Sequence, residues 1–177
     1  MLSSALIIIA LAALDRGSKV LLGALLADGS RRVLIEGVLG LRLLEGGNTG
    51  AAFGLFQNGT VFLIIVTLLM IMALLYALFF KRFSSPWLRC SALLITAGGI
   101  GNLYDRIAYG SVTDFIEFLF IEFPVFNLAD CYVTVGAAVV IIWLLFAGKN
   151  AEIFLRTEVE NSGTQSASED GDDGKSV

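Results

Sequence analysis

VFLIIVTLLMIMALLYALFF, residues 61–80, decides the fold. A bilayer-spanning helix needs about 20 mostly apolar residues, and this stretch supplies them without a single charge. The whole chain agrees with that reading. Of its 177 residues 56% are hydrophobic and only 16% charged, with two prolines, whereas soluble domains carry about 25% charge.

Working outward, KRFSSPWLR (81–89) makes a short basic turn in which Pro86 is expected to break the helix. CSALLITAGGIGNLY (90–104) reads as the next span, and CYVTVGAAVVIIWLLFAG (131–148) as the last, closed by Lys149. On the N-terminal side, LSSALIIIALAALDRGSKVLLGALLA (2–27) is apolar, meets Asp15, Arg16 and Lys19, then turns apolar again. A cleaved leader is the rival reading, since Ala10-Leu11-Ala12 resembles a cleavage site. No Lys or Arg precedes the apolar run, however, and the run resumes after Lys19, so a retained first helix is expected. The fold class is therefore a mainly α integral membrane protein with four transmembrane helices. Residues 28–47, which alternate loosely, are expected as short strands at the outer membrane surface.

Four spans put both termini on one side. Lys81, Arg82 and Arg89, followed by Lys149 and Arg156, favour the cytoplasm for that side. The domain expectation is a membrane domain over 1–149 and an acidic, solvated, largely disordered tail over 150–177. The net charge of −4 comes mostly from that tail, and nothing in the chain is basic enough to bind nucleic acid.

There is no histidine, which excludes a Ser-His-Asp triad, a Cys-His pair and histidine-ligated zinc. Cys90 and Cys131 lack CxxC spacing and are expected as two buried free thiols. No metal or cofactor is expected. Any chemistry must use carboxylates, amides, hydroxyls, lysine or arginine.

Ionisable groups in a membrane helix cost at least ~2.5–3.5 kcal/mol at its centre and default to a functional hypothesis. Asp15 and Lys19, four apart, share one helix face, about 20 Å along the first helix. Asn48 precedes the second span; Asn102, Asp105 and Arg106 end the third; Asn127 and Asp130 begin the fourth. All fall at the same interface. The structural readings are a helix-holding Asp15–Lys19 pair, Asp105-Arg106 as a helix end, Gly98, Gly99 and Gly101 as close packing, and Asn127/Asp130 as a cap. None of them accounts for Asp114, set in SVTDFIEF (111–118). If Asp114 and Asp130 converge, they form an unequal pair, one protonated and one ionised, able to activate water and protonate a leaving group.

Four blocks, DRGSK (15–19), NTGAAFGLF (48–56), GNLYDRIAYGSVTDFI (101–116) and FNLADCYVTVG (126–136), resemble the bacterial lipoprotein signal peptidases, also called type II signal peptidases. They stand in that family's order and spacing; Arg16 stands where the family often has glutamine. The resemblance implies an aspartyl endopeptidase of the bacterial cytoplasmic membrane with Asp114 and Asp130 catalytic. Asn48, Asn102, Arg106 and Asn127 would surround the substrate or the dyad, and Asp15, Lys19 and Asp105 would be structural. The implied partners are membrane lipid and diacylglyceryl prolipoproteins, cleaved on the amino side of the lipidated cysteine near the outer leaflet, with globomycin as inhibitor. The alternative is a small proton-coupled transporter, which would spread its carboxylates through the depth of the bilayer.

Overall fold

The computed structural model describes residues 2–50, 59–80, 83 and 85–146. The expected tail over 150–177, Lys149 and residues 51–56 of the second block lie outside them. Four long helices appear among the described residues: α1 (Leu2–Leu25), α2 (Thr60–Phe80), α3 (Pro86–Tyr109) and α4 (Leu128–Phe146). Three short strands, β1 (Arg32–Ile35), β2 (Leu39–Leu41) and β3 (Ile116–Phe118), complete the elements. Chain compactness separates Met1–Val139 from Val140–Val177, and the second unit begins within α4.

Among the described residues, α2 and α4 are long and apolar enough to cross a membrane by composition alone. The side chains of α2 support that use, since Val61, Ile65, Leu69, Met72 and Phe80 are exposed. Such a surface is stable only in an apolar solvent. α1 and α3 have 24 residues each, long enough to span at 1.5 Å per residue, but carry the charges described below.

α3 is the central helix, packing against both α1 and α2. Ile8, Leu78, Ala92, Leu93 and Ala97 are buried together, with Leu11, Leu74, Leu75, Ile100 and Tyr132 against them. Where apolar burial gives no drive between helices, close packing of small residues supplies the contact. A Cβ on Gly98 would run into the Ala129 carbonyl oxygen and lie 2.9 Å from Val133 Cγ2. One on Gly101 would meet the Asp15 carboxylate, and one on Gly136 would sit 2.7 Å from Ile95 Cγ1. The glycines of α3 are thus packing residues, and they let α1 and α4 approach at the level of the polar cluster.

Two helix ends differ from the sequence reading. Pro86, expected to break a helix, instead opens α3: Ser85 caps it, accepting from the Trp87 N–H at 3.2 Å, and proline near the start lacks only an N–H that would have no helical partner. Asp105 and Arg106 do not mark a helix exit either. α3 continues through Tyr109 and ends on Gly110 in the left-handed region, φ 76°. Buried partners for Asp105 keep that last turn helical. Of the two free thiols, Cys90 is exposed rather than buried, and Cys131 is half-buried.

The expected strands within 28–47 are β1 and β2, an antiparallel hairpin turning at Gly37, φ 65°. The sheet has a third, unexpected member: β3 pairs antiparallel with β2, matching Leu39 to Phe118 and Leu41 to Ile116. Glu117 of β3 is buried and ties the sheet together, pairing with Arg31 Nε at 2.9 Å and Arg42 Nε at 3.1 Å.

Candidate active site

Asp114 lies on the loop joining α3 to β3, and main-chain bonds on both sides fix that loop. Asn48 and Val112 exchange two bonds of 2.9 Å, Leu44 N–H donates to the Asp114 carbonyl at 3.1 Å, and Phe115 N–H donates to the Phe126 carbonyl at 3.0 Å. A loop stitched in this way places the carboxylate as firmly as a strand would.

Asp130 is set by the start of α4. Asn127 Oδ1 accepts from the Asp130 N–H at 3.0 Å, and Asp130 Oδ2 accepts from the Asn127 N–H at 3.1 Å. This reciprocal arrangement is a capping box, here with aspartate in the glutamate position. The cap also serves the site: Asn127 Nδ2 donates to Asp114 Oδ1 at 2.6 Å and to Asn102 Oδ1 at 3.1 Å. Asn102 Nδ2 donates to Asp130 Oδ1 at 2.7 Å, and Asn48 Nδ2 to Asp114 Oδ2 at 2.9 Å. Three asparagine amides therefore hold the two carboxylates from α3, α4 and the segment before α2.

Lys19 sets the orientation of that network. Its ammonium donates to Asn102 Oδ1 at 2.8 Å and forms ion pairs with Asp15 Oδ2 at 2.9 Å and Asp105 Oδ2 at 3.2 Å. Because Asn102 Oδ1 faces the ammonium, its Nδ2 must face Asp130. Asp15 in turn accepts from the Ala129 N–H at 2.9 Å, joining α1 to the first turn of α4. The structural pair expected of Asp15 and Lys19 is present, wholly buried, and it orients the amide beside the dyad.

Arg106 donates to the Gly50 carbonyl at 2.9 Å, while its buried Nε has no partner among the described residues. It lines a cleft of about 510 Å³ together with Asn48, Asp130, Cys131 and an apolar wall that includes Phe118, Phe123 and Val125. The Phe118 ring packs in tilted contact with Phe126 at 5.1 Å and Phe123 at 5.6 Å, so the wall is a packed aromatic group. The cleft is mostly apolar, with Asn48, Arg106 and Asp130 among its few polar lining groups.

The two carboxylates are not equivalent. Burial lifts the Asp114 carboxyl to about 6, and the charge of Asp130 pushes it the same way. Hydrogen bonds from Asn48 and Asn127 and the charge of Lys19 pull it back. Asp130 sits at the third position of α4, close to the first turn's free N–H groups. The arrangement sets one carboxyl of raised pKa near a second carboxylate that borders an apolar cleft.

All nine polar residues singled out in the sequence meet in this network. Sequence reasoning missed four groups: Arg16, the Thr113 and Ala129 N–H groups, and Glu117. The only signal for Glu117 is a lone acid among phenylalanines, which names no partner.

This is the equipment of a hydrolase working beside apolar substrate. Residues 7–146 match the family described as signal peptidase (SPase) II, and the chain belongs to that family, which makes it a protease. It is 40% identical over 139 residues to the lipoprotein signal peptidase of Clostridium novyi (strain NT), covering 77% of this chain and 93% of that protein. Against the lipoprotein signal peptidase of Streptococcus thermophilus (strain CNRZ 1066) it is 44% identical over 110 residues, 62% of this chain and 71% of that protein. A solved bacterial membrane enzyme, determined by the in meso method at 2.3 Å resolution, superposes with a TM-score of 0.76 at 29% identity, covering 85% of this chain and 92% of that one.

Proposed function

We propose that this chain is a four-span aspartyl endopeptidase of the bacterial cytoplasmic membrane, with both termini in the cytoplasm and residues 1–149 as its peptidase domain. It removes the signal peptide from diacylglyceryl-modified prolipoproteins, cutting on the amino side of the lipidated cysteine. The observation that carries the reading is the shared hold of Asn127 on both carboxylates: one amide to Asp114, one backbone N–H to Asp130. The adjoining apolar cleft suits a substrate whose acyl chains stay in the leaflet, and globomycin would occupy the same cleft.

In this mechanism Asp130 takes a proton from water as the oxygen adds to the scissile carbonyl carbon. Asp114 gives its proton to the amide nitrogen as the C–N bond breaks, leaving a carboxyl on the signal peptide and a free amino group on the lipidated cysteine. The dyad ends with its proton on the other member, and one transfer between the two resets it. Arg106, with a buried N–H to spare, holds a substrate carbonyl. A proton-coupled transporter would set its carboxylates along the bilayer depth, whereas here they gather at one end of the helices.

The test is gel-based cleavage of a diacylglyceryl prolipoprotein by the purified protein. Asp114→Asn and Asp130→Asn should each abolish processing while the protein still melts cooperatively. Full activity in either variant refutes the dyad, and cleavage that depends on added metal refutes the mechanism.

A further inference from the structure

Arg16 is the charged residue of α1 that the site as described leaves without a role. Its guanidinium lies 5.1 Å from the ring centroids of both Tyr104 and Tyr109. Nη2 donates to the Tyr109 hydroxyl at 2.6 Å, and Nη1 pairs with Asp105 Oδ1 at 3.2 Å. Taken alone, these contacts describe a stacked ion pair fastening α1 to α3.

The partner's other oxygen carries the argument further. Asp105 is fully buried, and its Oδ2 accepts the backbone N–H of Thr113, the residue before Asp114, at 3.2 Å. Oδ2 also takes one donor from Lys19, which is shared with Asp15. Without Arg16, one ammonium would face two buried carboxylates, and nothing would hold Oδ1. The Asp105 carboxylate would then be held at Oδ2 alone, and its grip on the Thr113 N–H would loosen.

We infer that Arg16 is a positioning residue for the hydrolysis: gripped by the two tyrosines, it fixes Asp105, which anchors the Thr113 N–H and so the loop that presents Asp114. The inference rests on the dyad reading above. The charged groups facing Asp114 are Asp130 from α4, Lys19 from α1 and Arg106 from α3; the neutral donors are Asn48 and Asn127. Those facing Asp105 are Arg16, Lys19 and Asp15 from α1 and Arg106 from its own helix. Deleting Arg16 removes the positive charge paired with Asp105 and leaves that carboxylate less compensated beside the loop that carries Asp114.

The experiment uses the purified full chain in detergent and a diacylglyceryl prolipoprotein. Arg16→Gln should lower kcat about tenfold with KM within about twofold, the pattern of a misplaced acid and not of lost binding. The alkaline limb of its pH profile should move upward. Arg16→Lys keeps the charge without the planar fork, so it should return the limb to the wild-type position while kcat stays low. Tyr109→Phe removes one hydroxyl grip and should lower kcat about two- to threefold. Wild-type kcat and pH profile in Arg16→Gln overturn the inference; so does a loss of kcat with the pH limb unmoved and the melting temperature lowered. If Arg16→Gln does not fold, wild-type kcat in Tyr109→Phe overturns it. Wild-type cleavage that Asp114→Asn abolishes settles the dyad reading separately.

Discussion

Replacing Asp114 by asparagine should abolish cleavage and yet stabilise the protein progressively as pH rises. Burial lifts this carboxyl from the ordinary 3.8 to about 6, so the folded protein holds its proton more tightly than the unfolded chain does. The sign follows: that tighter hold is fully stabilising relative to the ionised form below pH 3.8, and it is lost as pH rises through 6. At about 1.4 kcal/mol per unit, ionising Asp114 costs the fold on the order of 3 kcal/mol by pH 7.5, about half of it already present at pH 5. Asp114→Asn does not titrate, so its stability relative to wild type should rise by on the order of 1 kcal/mol between pH 5 and 7.5. Thermal melts of both proteins in one detergent, across that range, measure the difference. The activity of the wild-type enzyme should show its alkaline limb near 6 in kcat/KM, because Asp114 must carry the proton it donates. A stability difference that is flat in pH, or a kcat/KM that climbs through pH 6, refutes the assignment of Asp114 as the acid.

Two further perturbations probe the supports of the dyad. Lys19→Met leaves Asp15 and Asp105 buried with less compensation and should cost about 3–5 kcal/mol in detergent unfolding. Adding Asp15→Asn should recover more of this than adding Asp105→Asn, because Asp105 keeps Arg16 as a partner. Gly98→Val must push α4 off α3 at the Ala129 carbonyl, next to Asp130; it should cost about 1–3 kcal/mol and lower kcat on the order of a hundredfold. Gly23→Ala, with nothing within 4 Å of the added carbon, is the control and should leave kcat unchanged while stabilising helix α1 by up to about 1 kcal/mol.

What the sequence made legible was what depends on short spacing. The uncharged run at 61–80 is helix α2 almost to the residue, Asp15 and Lys19 meet because they are four apart, and Asn127 and Asp130 cap because they are three apart. What it hid depends on chain segments meeting across the fold. β3 could not be seen because three residues, IEF, become a strand only when Leu39–Leu41 offers its edge. Asp105-Arg106 looked like a helix end because charge in a greasy helix is costly; the cost is offset by Arg16 and Lys19, 89 and 86 residues away in sequence. The structural and functional readings of Asn127 also proved compatible: its Oδ1 caps α4 while its Nδ2 serves Asp114.

Charge balance gives a reason for the protonation state independent of either carboxylate's own surroundings. The network holds four carboxylates, Asp15, Asp105, Asp114 and Asp130, against three cations, Arg16, Lys19 and Arg106. Fully ionised, it carries one negative charge in a site walled by phenylalanine and valine, where an unpaired charge is strongly disfavoured. Two of the carboxylates are tied directly to cations: Asp15 to Lys19, and Asp105 to Lys19 and Arg16. Asp114 and Asp130 are held by neutral asparagine amides, with no direct ion pair to either among the described residues. On the proposed mechanism the proton that neutralises the site is shared by this pair, as an acid and a base. On this view Arg16 and Lys19 contribute to the chemistry by satisfying the other two aspartates, so that the single shared proton resides where a peptide bond can use it.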